Sequence, residues 1–174
     1  MKKTIFLLAG IVYSFLCAGQ GISLNNTANI SPSKNFQKLS KEQASSFMIR
    51  KFKNDKIAST LMINPDHTYL VDSVLVTLFY GGKLVKDNYL SETKKGFDEL
   101  YRKHTSYIST LETINNNKAL VISYQFNNIG YIDFYCCNND NTKEVNGGLQ
   151  FDIADKDKAT VVLDDLLKNI KFNN

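Results

Sequence analysis

Histidine and cysteine are scarce in this 174-residue chain, which holds two of the first and three of the second. No Cys/His cluster at zinc-ligand spacing occurs among so few, so a metal-thiolate site finds no support in the spacing. Gly-x-Ser-x-Gly, a phosphate-binding glycine loop and His-Glu-x-x-His are all absent. The signatures of the common hydrolases, nucleotide enzymes and zinc peptidases are therefore missing. Past Gln20 no apolar run reaches the roughly 20 residues that a bilayer-spanning helix needs. Nor does any segment repeat at a fixed period, which sets aside solenoids and propellers.

What is present begins at the N-terminus. Lys2 and Lys3 precede an uncharged apolar stretch, Thr4 to Leu16, and Cys17-Ala18-Gly19 follows with small residues at the cleavage positions. This is the layout of a secretory signal peptide over residues 1–19, cut before Gln20. Cys17 raises lipid anchoring as an alternative, but the bulky Leu16 occupies the position before it, where a lipidation box carries a small residue. Cleavage changes the charge balance. Without Lys2 and Lys3, 19 basic residues face 17 acidic ones, a net of +2. So small an excess implies neither nucleic acid nor an anionic membrane as partner.

Of the cysteines, Cys136 and Cys137 survive cleavage. Neighbours cannot close a chain loop, and a disulfide between them needs a strained geometry. On a strand they point to opposite faces and read as small apolar residues.

About 150 residues remain, the usual size of one domain. The polar, Asn- and Ser-rich stretch at 20–38 reads as a flexible linker, and 39–174 as a single α+β domain. Ser40-Lys41-Glu42-Gln43 has the form of a capping box at a helix start. Phe47 to Lys53 alternates apolar and polar residues, Asn54-Asp55 turns, and Lys56 to Ile63 returns, stretches too short for pattern to separate helix from strand. Val71 to Tyr80, ending at Gly81-Gly82, predicts a strand and turn. Tyr89, Leu90, Thr93, Phe97, Leu100, Tyr101 and His104 recur at helical spacing over Asn88 to His104. Strands are expected at Lys118 to Phe126, Ile129 to Asn138 and Glu144 to Ile153, with Asn127-Asn128 as a two-residue hairpin turn. Asp155 can cap a last helix whose stripe is Ala159, Val162, Leu163, Leu166, Leu167 and Ile170, with Asp157, Asp164, Asp165 and Lys168 facing water. Segregated strands and two-faced apolar runs predict an antiparallel sheet flanked by helices on both faces, an α/β/α sandwich.

The run Lys118 to Tyr124, the next hairpin, and the helix Lys158 to Lys168 closing on Ile170-Lys171-Phe172 resemble the C-terminal half of the PsbP/Mog1-like fold family. The resemblance implies an accessory or binding role. It supplies no catalytic motif, and no functional residue of the family is matched here.

Among single residues, His67 beside Pro65-Asp66 reads as a turn residue, and His104 as a partner of its helix dipole. Asp152, Asp155 and Asp157 cluster where capping favours acids, and Asn139 to Thr142 lacks the glycine and distal glutamate of a calcium loop. One set stands apart. If Asn127-Asn128 is a two-residue turn, Tyr124 faces Tyr131 and Ile122 faces Asp133, with Tyr135 further along the same side. An acid among tyrosines is costly unless paired or near water. One account is a hydrogen bond from a tyrosine hydroxyl; the other is an aromatic-lined recognition surface of Tyr124, Tyr131, Asp133 and Tyr135 that holds a ligand or protein partner.

The expectation is an exported, non-enzymatic domain of the periplasm or extracellular space that binds a protein or small ligand, without metal or cofactor. An inhibitor or immunity-type protein is its narrower form. The alternatives are a hydrolase-like enzyme using Asp133 with a histidine, and a lipid-anchored envelope factor. Mass spectrometry of the mature chain is expected to place its N-terminus at Gln20; a lipid mass on Cys17 would establish anchoring instead.

Overall fold

Alternating apolar side chains and tight Asn- or Asp-containing turns build most of the domain. A computed structural model describes residues 21–52, 63–81, 87–104 and 106–173. The leader at 1–19 with Cys17, the Asn54-Asp55 turn and Gly82 lie outside the described residues.

The elements in chain order are β1 (Ile22–Leu24), β2 (Ala28–Ile30), β3 (Gln37–Lys38), α1 (Lys41–Phe52), β4 (Thr68–Val71), β5 (Val74–Gly81) and α2 (Tyr89–Tyr101). They continue with β6 (Ile108–Ile114), β7 (Asn117–Phe126), β8 (Ile129–Cys137), β9 (Glu144–Asp152), a 3-10 turn, α3 (Lys156–Asn169) and β10 (Ile170–Phe172). This is an α+β fold with a seven-stranded sheet in the order β3-β4-β5-β9-β8-β7-β6, all its pairs antiparallel. A small sheet, β1-β2-β10, joins the first strands to the last.

Period-two alternation divides the large sheet between two sets of packing partners. Val76, Leu78, Phe134, Cys136, Val145, Leu149 and Phe151 pack with α3 and the small sheet. The stripe expected on α3 is buried throughout, from Ala159 to Ile170. At roughly 1.5–3 kcal/mol for each large apolar side chain buried, it is a main source of cohesion. Alternate residues point the other way, where Leu75 packs with Ala44 and Met48 of α1. On that same side Leu120, Ile122 and Cys137 pack with Leu90 of α2. Cys136 and Cys137 are thus free, buried thiols on opposite faces, and burial first of all pushes each up to about 12.

Several expectations need correction. Residues 21–38 are no linker: Ile22, Leu24, Ala28, Ile30 and Phe36 are buried, so the folded unit includes β1 and β2 ahead of Leu39. Two three-residue strands around the turn at Asn25, where φ is 49°, are too short to show periodicity. Of the stretch left open between helix and strand, Phe47 to Phe52 is helical. The capping box forms as read, with Ser40 N–H donating to Gln43 Oε1 (2.8 Å) and Gln43 N–H to Ser40 Oγ (3.3 Å). The helix it starts runs through Phe52, burying Ala44 and Met48 four residues apart.

The strand read from Val71 is split by Asp72-Ser73, whose φ values of 46° and 74° suit a tight hairpin turn. Strand β6 went unforeseen; it is an edge strand with mostly exposed residues, so no alternation marks it. The central helix ends at Tyr101, leaving His104 outside it. Asp165 does not simply face water, because it accepts from Ser33 N–H, Ser33 Oγ and Lys34 N–H and holds that segment to α3.

Asp155 stands at the N-cap of α3 without making the capping bond. Its carboxylate instead accepts from Lys51 Nζ (2.8 Å), Ser73 Oγ (2.9 Å) and Lys158 Nζ (2.7 Å), tying α1, the β4–β5 turn and α3 together. The hydrogen bonds from Lys158 and Lys51 hold it well below the ordinary 3.8. A depressed carboxylate contributes stability above its ordinary value and loses it as the pH falls through the folded one. Asp155→Asn is therefore expected to lower the unfolding free energy by about 1–2 kcal/mol at pH 7. Urea denaturation should show the difference shrinking as the pH drops below 3.8.

Candidate functional site

The hairpin register places the tyrosines and the acid together. Tyr124 pairs with Tyr131, Ile122 with Asp133 and Leu120 with Tyr135, joined by the Asn127-Asn128 turn with Asn127 at φ 54°. On the next strand Gln150 lies beside Tyr131, Gly148 beside Asp133 and Asn146 beside Tyr135. On β5, Leu75, Thr77 and Phe79 stand opposite Gln150, Gly148 and Asn146.

The result is a square array of side chains with its centre missing, because the central position is Gly148. Tyr131, Asp133 and Tyr135 form one side, Leu75, Thr77 and Phe79 the other, and Gln150 and Asn146 the ends. These eight, with Phe97 and Tyr124, line a cavity of about 380 Å³. Small-molecule sites start at roughly 300 Å³. A β-carbon on Gly148 would stand 3.1 Å from Asp133 Oδ1. The ladder on both sides of Gly148 is unbroken, so the glycine makes room rather than a bulge.

Aromatic stacking fixes the wall. Tyr124 lies on Tyr131 with centroids 5.0 Å apart and planes 8° apart, and Tyr101 of α2 lies on Tyr124 at 5.3 Å. Phe97 meets Tyr135 at 6.2 Å. Asp98 anchors α2 to the next element, accepting from Lys94 Nζ, Tyr107 Oη and Ser109 Oγ at 2.6, 2.8 and 2.6 Å.

Asp133 accepts a 3.2 Å hydrogen bond from Tyr124 Oη, the structural account given for it above. That bond engages Oδ2, while Oδ1 faces the gap over Gly148. Burial pushes the carboxyl up to about 6, with the Tyr124 hydrogen bond pulling the other way. Burial also raises Tyr124, Tyr131 and Tyr135, helped by the Asp133 charge, so all three are phenols at neutral pH. Gln150 Oε1 is buried with no donor among the described residues.

Neither histidine joins the set. His67, just ahead of β4, approaches Tyr69 at 3.3 Å and meets Tyr80 edge-on, both of which pack with the core on the face opposite Asp133. His104 is exposed beside Tyr101. The pairing of Asp133 with a histidine that the hydrolase alternative requires is not formed. Among the described residues no group of three His, Cys, Asp or Glu side chains could hold a metal ion, and no helix is long and apolar enough to cross a membrane. A second hollow of about 430 Å³ lies against α1, but Gln43, on its rim, is spent in the capping box.

Sequence reading found Tyr124, Tyr131, Asp133 and Tyr135 and missed Leu75, Thr77, Phe79, Phe97, Asn146, Gly148 and Gln150. The signal available was Gly147-Gly148 inside a strand, which marks a place where something approaches closely. Compared with protein-family models, curated proteins and solved structures, the chain matches none.

A carboxylate buried beside phenols destabilises the fold when ionised. Its folded value exceeds the ordinary one, so its favourable contribution is full below 3.8 and lost as the pH rises through about 6. That difference corresponds to an upper bound of roughly 3 kcal/mol. Asp133→Asn keeps an acceptor for Tyr124 and removes the charge. Chemical denaturation is expected to show it more stable than the parent at pH 7, by about 1–3 kcal/mol, and nearly equal at pH 4.

Proposed function

We propose that the chain is an exported, non-enzymatic binding domain of the periplasm or extracellular space, and that the gap over Gly148 is its binding site. The observation that carries the reading is the missing side chain at the centre of the array, which leaves Asp133 Oδ1 facing a space of ligand size. The leader at 1–19 carries the location. Inhibitor or immunity-type action is the narrower form of this proposal, in which a protein partner inserts one side chain into the gap.

In fold terms we read the domain as an α/β/α sandwich of the PsbP/Mog1-like kind. The support is the order of elements and the closing helix and tail, α3 followed by Ile170-Lys171-Phe172. The β1-β2-β10 sheet is an addition for which that resemblance gives no expectation.

Gly148→Val tests the site. Gly148 has no positive φ, and Val suits a strand, so the variant is expected to fold while its side chain fills the gap. In a small-molecule screen followed by amide chemical shifts, ligands of the parent should perturb residues 131–135 and 146–150 and lose at least ten-fold in affinity on Gly148→Val. Ligands that bind both proteins equally, or that perturb only other elements, would count against the site.

A further inference from the structure

Asp133 is the one acid at the gap over Gly148, with Oδ2 taken by Tyr124 and Oδ1 beside the glycine. Thr77 adds a second acceptor, by a proton count. Thr68 Oγ1 donates to the Asn64 carbonyl at 2.7 Å, so in the 3.4 Å contact between the two hydroxyls the proton comes from Thr77. Thr77 Oγ1 is left with lone pairs only. Asn146 spends an amide proton on Glu144 at 2.7 Å. The described lining includes no Lys, Arg or His, so the one acid there has no built-in counter-charge. Above this polar floor the walls are Phe79, Phe97, Tyr131, Tyr135 and Leu75.

From this geometry we infer that the gap over Gly148 takes an organic cation with N–H donors, an alkylammonium or guanidinium group on an apolar stem. The inference rests on the binding site proposed above and names the chemistry of its ligand. An ammonium group carries three donors and no acceptor, which complements Asp133 Oδ1 and Thr77 Oγ1. Aromatic faces attract such a cation when they stand within about 6 Å. Neutral donors such as alcohols satisfy one acceptor at a time and leave the Asp133 charge without a partner. An anionic ligand would meet the Asp133 carboxylate with no cation in the described lining to offset it. The same head group occurs on free amines and on the lysine and arginine side chains of proteins.

Isothermal titration calorimetry at pH 7.5 separates the possibilities, with benzylammonium, butylguanidinium and the neutral isostere benzyl alcohol as probes. The cations are expected to bind at least ten-fold tighter than the alcohol. Asp133→Asn should cost the cations ten-fold or more and leave the alcohol unchanged, and Gly148→Val should weaken all three. The peptide Gly-Gly-Lys-Gly-Gly, set against its norleucine counterpart, identifies the source. A lysine-dependent affinity exceeding that of the free amines points to a protein side chain, the reverse to a free amine, and either result supports a cation site. Equal binding of cation and alcohol, or cation binding indifferent to Asp133→Asn, overturns the cation inference while the binding site stands. If no probe binds at millimolar concentration, the inference falls. If the screen against Gly148→Val is empty as well, the site falls with it.

Discussion

Two adjacent glycines in the middle of β9 govern both faces of the large sheet. A β-carbon on Gly147 would lie 2.5 Å from the Thr77 carbonyl oxygen and 2.9 Å from Phe134, so its absence lets a fully buried phenylalanine fill the core beneath α3. The next residue, facing the other way, leaves the gap beside Asp133. Because strand side chains alternate, one dipeptide closes one side and opens the other. A one-residue slip in the β8–β9 pairing would exchange those roles, leaving a void against α3 and filling the site. Register here is therefore a functional quantity as well as a structural one.

The rest of the architecture limits what that gap exposes. α1 covers the sheet around Leu70 and Leu75, and α2 covers it around Leu120 and Ile122. Between them no described helix packs on the face over β9 and its neighbours. The stack of Tyr101, Tyr124 and Tyr131 holds α2 at a fixed distance from this opening. Asp133 is thus held in a place where folding alone gains little from it, and its single bond to Tyr124 does not offset the loss of water. Groups kept at a cost to stability are characteristic of binding and reactive sites.

Much of this was legible in the sequence because local chemistry decided it. The Ser40–Gln43 box, the turn at Asn127-Asn128 with the register that follows, and the stripe of α3 each depend on residues within a few positions of one another. The four site residues on β7 and β8 came from that register. Their partners did not, because the pairing of β9 with β5 joins Gly148 to Thr77 across 71 positions, and no local pattern encodes it. The N-terminal strands were hidden for the same reason. Ile22 and Ile30 look isolated until Ile170 supplies their third neighbour. Edge strand β6 was missed because its exposed side chains are nearly free of any burial constraint.

The small sheet has a consequence in time. β2 lies between β1 and β10, so the first described strands are completed only by residues about 140 positions further along the chain (Ile30 with Ile170). Loop closure over nearly the full length of the domain must precede that contact, and such long-range pairings form slowly. The β2–β10 pairing is therefore a late contact, and the core around Ile30 and Ile170 is completed with it.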